Sequence, residues 1–267
     1  MGINSKLDVP GGQVHTYGTQ YKTAVDGVKP ARSDLRVIMD RNLGATGALY
    51  SLSTTNSQNY PTYGLLYQWG RKDPFPKAAA GVSGDKVATQ PTYSANGTAL
   101  ANMPQGVQGA VTLETATQNP GIDYYNNNER HDWLSVPNNT LWGDGTTKSV
   151  YDPCPEGWRI PPNGTWNDFG TEWNSVFSKN PNWNNVDINI SGGLYATGNI
   201  KAYYTIPGCY HPISGGLYFV GTSGATWSST VVTINNLSYF LNLGPTMVSP
   251  NYDGYRAHAI GVRCIQE

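Results

Sequence analysis

Glycine and proline interrupt this chain along its whole length, and that limits what it can become. With 31 Gly and 18 Pro among 267 residues, it cannot be a coiled coil or a helical bundle. No apolar run approaches the roughly 18 residues that a membrane-spanning helix needs. The length fits one large domain or two small ones, and it suffices to bury a core without staples. Charge narrows the partners. Lys and Arg number 17 against 18 Asp and Glu, a net charge of −1, which gives no pull toward nucleic acid or an anionic membrane. Charged residues make up 13% of the chain, against roughly 25% in an ordinary soluble domain. Aromatic residues make up 12%, with 18 Tyr and 8 Trp beside 5 Phe. Tyr, Asn, Ser, Thr and Gly supply contact area and adaptable hydrogen bonds at low entropic cost, as recognition surfaces do.

Local pattern predicts an α+β fold with short strands, few helices and extensive loops. Residues 1–33 are polar and weakly patterned, an N-terminal strand or linker ahead of a single domain over 34–267. Residues 34–40 alternate as a strand with Leu35, Val37 and Met39 on one face. Residues 63–70 predict one or two helical turns, and the prolines of 71–76 keep the next stretch extended or turned. Residues 77–130 lack periodicity, which predicts a long insertion of loops and short strands. The best helix is expected over 166–178. There Trp166, Phe169, Trp173, Val176 and Phe177 share one helical face, and Thr165 with Asp168 resembles a capping box. After residue 185, aromatic or β-branched runs predict strands at 194–197, 201–206, 217–220, 225–229, 237–243 and 259–265. Residues 246–255 read as a loop whose Tyr252 and Tyr255 would anchor a partner.

Catalytic signatures do not assemble. Gly221-Thr222-Ser223-Gly224 lacks the spacing of a nucleophile elbow. His15, His131, His211 and His258 have no metalloprotease spacing. The three cysteines, Cys154, Cys209 and Cys264, contain no C-x-x-C pair, and they allow one internal disulfide or three buried thiols. Asp144 and Asp152 are candidates for a structural calcium site, and also ordinary turn residues. Arg41, Arg71, Arg159 and Arg263 read as scaffold cations that satisfy backbone carbonyls. No cofactor and no catalytic residue is expected.

Six phrases occur together. They are IMDRNLGAT (38–46), YGLLYQWGRKDPFP (63–76), LWGD (141–144), YDPCPEGWRIP (151–161), WSST (227–230) and GVRCIQE (261–267). Their order and spacing resemble the Fibrobacter-type major paralogous domain of exported proteins in gut Bacteroidetes, over nearly the whole of 34–267. That resemblance implies a C-type-lectin-like fold of the formylglycine-generating-enzyme branch, and a Cys154–Cys264 disulfide. The same branch includes the variable proteins of diversity-generating retroelements. In those, a mutable stretch before a closing V-R-C strand is displayed on a constant scaffold. The scaffold positions would be Trp227, Ser228, Leu241, Leu243, Val262 and Cys264. The displayed set would be Thr233, Asn235, Asn236, Ser238, Phe240, Asn242, Asn251, Tyr252, Asp253, Tyr255, Arg256 and His258. Oxidases of the branch bind copper through two cysteines. Only Cys209 and Cys264 could serve here, and their neighbourhoods lack that pattern.

Strand alternation agrees with display, since Leu237, Tyr239, Leu241 and Leu243 face one way and Ser238, Phe240 and Asn242 the other. The expectation is a non-enzymatic receptor-like or adhesin-like protein with a variable C-terminal face. The alternative is a constant cell-surface or fimbria-associated adhesin or lipoprotein module. Its partner would be a protein or glycan on a cell or host surface. The first residues show no leader, which fits an exported chain whose leader has been removed, or a phage virion protein.

Overall fold

A computed structural model describes residues 18–22, 35–39, 41–45, 63–75, 92–93, 99–100, 106–128, 131–143, 147–175, 177–179, 192–197, 200–232 and 236–267. Turn residues cut the chain into short β runs, and the result is mostly sheet. The largest sheet has seven strands. Ala259–Gly261 is its hub, pairing antiparallel with Cys209–Tyr210 and Leu66–Gln68 and parallel with Gly224–Val231. Leu217–Tyr218 lies outside Cys209–Tyr210. On the other side, Gly224–Val231, Leu237–Gly244 and Met247–Tyr255 form an antiparallel meander that ends at the sheet edge. A four-stranded sheet joins the two ends of the chain in the order Gly18–Lys22, Leu35–Met39, Ile265–Gln266, Trp158–Arg159. A third sheet pairs Ile200–Thr205, Gly192–Thr197 and Phe177–Lys179.

Tryptophan builds the main core because each indole brings bulk together with one donor that must be satisfied. Trp227 donates to the Tyr67 carbonyl at 2.8 Å and Trp69 to Ser228 at 3.1 Å. Trp133 donates to Trp69 at 2.7 Å and Trp142 to Arg71 at 3.1 Å. These bonds tie the Leu66–Gln68 region to the C-terminal meander. Cys154 and Cys264 form a disulfide inside this core, and Cys209 is a buried free thiol. The six positions that the resemblance assigns to scaffold are all buried. Two of the four scaffold arginines, Arg71 and Arg263, are buried and hold backbone carbonyls. Arg71 reaches the carbonyls of Ile122, Ala116, Asn119 and Pro120 and the side chain of Gln68. Arg263 donates to the Tyr203 carbonyl and Asn42, with its guanidinium 3.8 Å from the Tyr204 ring centroid.

Three local expectations need correction. The helix expected over 166–178 is a three-residue 3-10 turn, Asn167–Phe169, followed by the strand Phe177–Lys179. Gly170 ends the turn at φ +74°, ψ −174°, a conformation open essentially to glycine alone. Asn174 then accepts from the Phe177 N–H and donates to the carbonyls of Phe169 and Glu172. Thr165 caps nothing and donates to the Pro162 carbonyl instead. Helical spacing still marked a real cluster, because Trp166, Phe169, Trp173 and Phe177 pack together by another route. Secondly, 63–70 contains the strand Leu66–Gln68, with no helical turn. Thirdly, 246–255 is largely the strand Met247–Tyr255. Its Pro250 lies on an edge strand where a missing donor is tolerated, at a register shift between the Phe240 and Asn242 pairings. Among the described residues of 77–130, short strands run over Thr92–Tyr93, Ala99–Leu100, Val107–Gln108 and Tyr124–Tyr125. Residues 106–128 include the short helix Leu113–Gln118, capped by Thr112, and they supply the carbonyl cage of Arg71.

Candidate ligand-binding face

The meander exposes less of the expected display set than alternation implied. Two register shifts, within Gly224–Val231 and within Met247–Tyr255, change what covers each side of Leu237–Gly244. Near the turn, Leu241 and Leu243 pack beneath one side with Val248. Farther along, Phe240 packs into the main core on the other side, edge-on to Trp227 at 5.3 Å. Ser238, Phe240 and Arg256 are therefore buried, and their expected place on a displayed face is corrected. Arg256 is structural. Its guanidinium lies 4.6 Å from the Trp69 centroid, donates to Ser238 and Asn139, and sits 3.7 Å from Asp132. Asn236, Asn242, Tyr255 and His258 are half-buried, and Asn251, Tyr252 and Asp253 are exposed. Thr233 and Asn235 lie outside the described residues. Asn251 donates to the side chain of Asn167 at 2.8 Å.

The exposed residues continue into a strip of rings that local pattern did not predict. Tyr252 packs on Phe240 at 5.2 Å, and Phe240 lies 6.4 Å from His258. His258 lies 6.4 Å from His211, which lies 5.2 Å from Tyr218 and 6.5 Å from Phe219. Tyr255 flanks the strip, stacked parallel to His258 and 4.1 Å from His131. Gly254 makes this approach possible, since a Cβ there would fall 2.7 Å from Phe240. Three apolar side chains are open to solvent here: Phe219 at 52%, Tyr252 at 44% and Ile213 at 39%. Among the described residues, the non-glycine positions with positive φ are His131, Phe219 and Asn236. One of the three, Phe219, thus lies in this strip, and His131 packs on Tyr255 beside it. For a bulky residue such a backbone costs of order 1–3 kcal/mol and collects at functional sites. The Phe219 carbonyl is held by the N–H groups of Thr222 and Ser223 and by the Thr222 hydroxyl.

The protonation of the central imidazoles follows from their partners. The Ser214 N–H reaches His211 Nδ1 at 3.4 Å, and the Ser214 hydroxyl lies 2.9 Å from the same atom. A backbone N–H only donates, so His211 Nδ1 is the bare nitrogen and its neutral ring carries the proton on Nε2. His258 Nδ1 lies 3.1 Å from the Tyr255 carbonyl, which only accepts. The neutral His258 ring therefore carries its proton on Nδ1 and a lone pair on Nε2. Burial pushes His258 down to about 4, and His211 and His131 add to the effect. Burial lowers His211 as well. At neutral pH His258 is uncharged.

The cofactor candidates are otherwise engaged. Asp152 accepts from the N–H groups of Cys154 and Ile160, so both its oxygens hold a turn and are not free for calcium. Asp144 lies outside the described residues. Among the described residues no cluster of three or more His, Cys, Asp or Glu is placed to hold a metal ion. Cys264 is spent in the disulfide, and burial pushes the Cys209 thiol up to about 12, so the two do not form a thiolate pair. No helix among the described residues is long and apolar enough to cross a membrane. No protein-family model, no curated protein and no solved structure matches this chain.

Nothing in the local sequence joined His211, Tyr218 and Phe219 to Tyr252 and His258. The sheet does so, by setting Cys209–Tyr210 beside Ala259–Gly261.

Proposed function

We propose that this chain is a non-enzymatic recognition protein of C-type-lectin-like fold, exported to a cell surface, whose ring-lined face binds a ligand. One observation carries the reading: exposed Tyr252 and Phe219 stand at the two ends of a packed row of rings on a disulfide-closed β scaffold. Rigid aromatic anchors lose little entropy on binding and dominate interface energetics. The buried disulfide suits an oxidising compartment. The resemblance to retroelement variable proteins adds that Asn251, Tyr252 and Asp253 are positions of diversification. Sequencing the DNA around the gene tests that addition. A near-repeat of the codons for 227–264, differing at adenines and beside a reverse-transcriptase gene, is expected; its absence overturns diversification.

A second reading, a constant adhesin module of the same fold, is favoured by the burial of Ser238, Phe240 and Arg256. Free variation at those positions would disrupt the core. The two readings share the binding face and differ only in whether it varies.

A further inference from the structure

We infer that the ring strip from Tyr252 to Phe219 is a subsite for a neutral oligosaccharide, bound by ring stacking and by hydroxyl hydrogen bonds to the paired imidazoles of His211 and His258. The inference rests on the recognition reading above and names its ligand class.

Three features select that chemistry. The first is the imidazole pair. His211 presents an Nε2–H donor and His258 an Nε2 lone pair, with ring centroids 6.4 Å apart. Neither Nε2 has a partner among the described residues. One donor beside one acceptor matches hydroxyl groups, which both give and accept a hydrogen bond.

The second is shape. Tyr252, Phe240, His258, His211 and Phe219 follow one another with no step above 6.5 Å. That row is longer than one pyranose ring and suits a chain of them, stacked on exposed Tyr252 and Phe219 at its ends, with buried Phe240 only backing Tyr252.

The third is charge. Residues 213–219 contain no Asp, Glu, Lys, Arg or His, and Asp253 is the only charged side chain of Met247–Tyr255. A polyanion therefore meets no Lys or Arg side chain from these two segments. All of these contacts belong to the protein itself, so the subsite needs no bound cation.

The test is calorimetric titration of the full chain with cello-, xylo- and manno-oligosaccharides, in EDTA, with oligogalacturonate as the charged control. Binding of at least one neutral series is expected, with Phe219→Ala and Tyr252→Ala each weakening it roughly tenfold while the thermal unfolding midpoint holds. The neutral-sugar affinity is also expected to collapse near pH 4, where His258 takes up a proton and its acceptor is lost. His211→Phe, which keeps a ring and removes the donor, should weaken binding without unfolding the chain. Wild-type protein that binds none of the neutral sugars overturns the inference. So does preference for the charged control, or neutral-sugar binding that the three variants leave untouched. Failure here leaves the recognition reading standing, because that reading is tested separately by which positions tolerate substitution.

Discussion

At the scale of single residues, Asp123 is a buried carboxyl that the described residues leave without a hydrogen bond. Burial raises it from 3.8 to about 7, although Arg71 pulls the other way. A carboxyl whose folded value is raised contributes stability below its unfolded value, and that contribution is lost as pH rises through the folded value. Asp123→Asn removes the titration. The variant should match wild type below pH 4 and exceed it by about 4 kcal/mol above pH 7, measured as the difference between urea unfolding curves. A difference that does not change with pH would show that Asp123 titrates alike in the folded and unfolded chain. Single residues were unevenly legible. Arg71 and Arg263 were readable as carbonyl binders, since an Arg in a loop-rich chain with few acids has little else to hold. Arg256 was not, because its burial depends on Trp69 and Asp132, which only the folded sheet brings near.

Elements were legible where the local pattern and the final packing agree. The runs after residue 185 became strands at nearly the expected positions, because turn residues bound them on both sides. The expected helix at 166–178 failed for an identifiable reason. Side-chain spacing reports which residues share a cluster, but not the backbone path that brings them there, and Gly170 diverts that path. Gly170→Ala should cost about 1–3 kcal/mol, because alanine enters a backbone region closed to it and its Cβ would lie 3.2 Å from Asn174 Nδ2. Asn174→Ala, which releases two carbonyls and one N–H, should cost about 1–2 kcal/mol. Chemical denaturation reads both, and near-wild-type curves would show that the 170–174 turn is not what stops the helix. The strand Met247–Tyr255 was hidden by its proline, since an edge position that excuses Pro250 is a property of the sheet and not of the segment.

Across the whole molecule, the disulfide joins residues 110 positions apart, and so closes most of the described sheet into one loop. The double variant Cys154→Ala, Cys264→Ala should lose about 4 kcal/mol of unfolding free energy. Comparing oxidised and thiol-reduced wild type by urea midpoint checks the same figure, and equal midpoints would refute it. The candidate site was half legible. Its strand residues could be listed from the C-terminal pattern, but the Ile213–Phe219 side could not. Its contact with His258 arises from pairing between strands far apart in the chain.

The central claim is that a recognition face is carried on, and separable from, a rigid scaffold. The direct measurement is a substitution scan read by thermal unfolding. It would set Ile213, Phe219, Asn251, Tyr252 and Asp253 against Trp227, Phe240, Leu241 and Arg256. The account predicts that changes in the first group stay within about 0.5 kcal/mol, while truncations in the second cost about 2–5 kcal/mol. Losses of equal size in both groups would contradict it, because the exposed rings would then be part of the core rather than the face that the core presents.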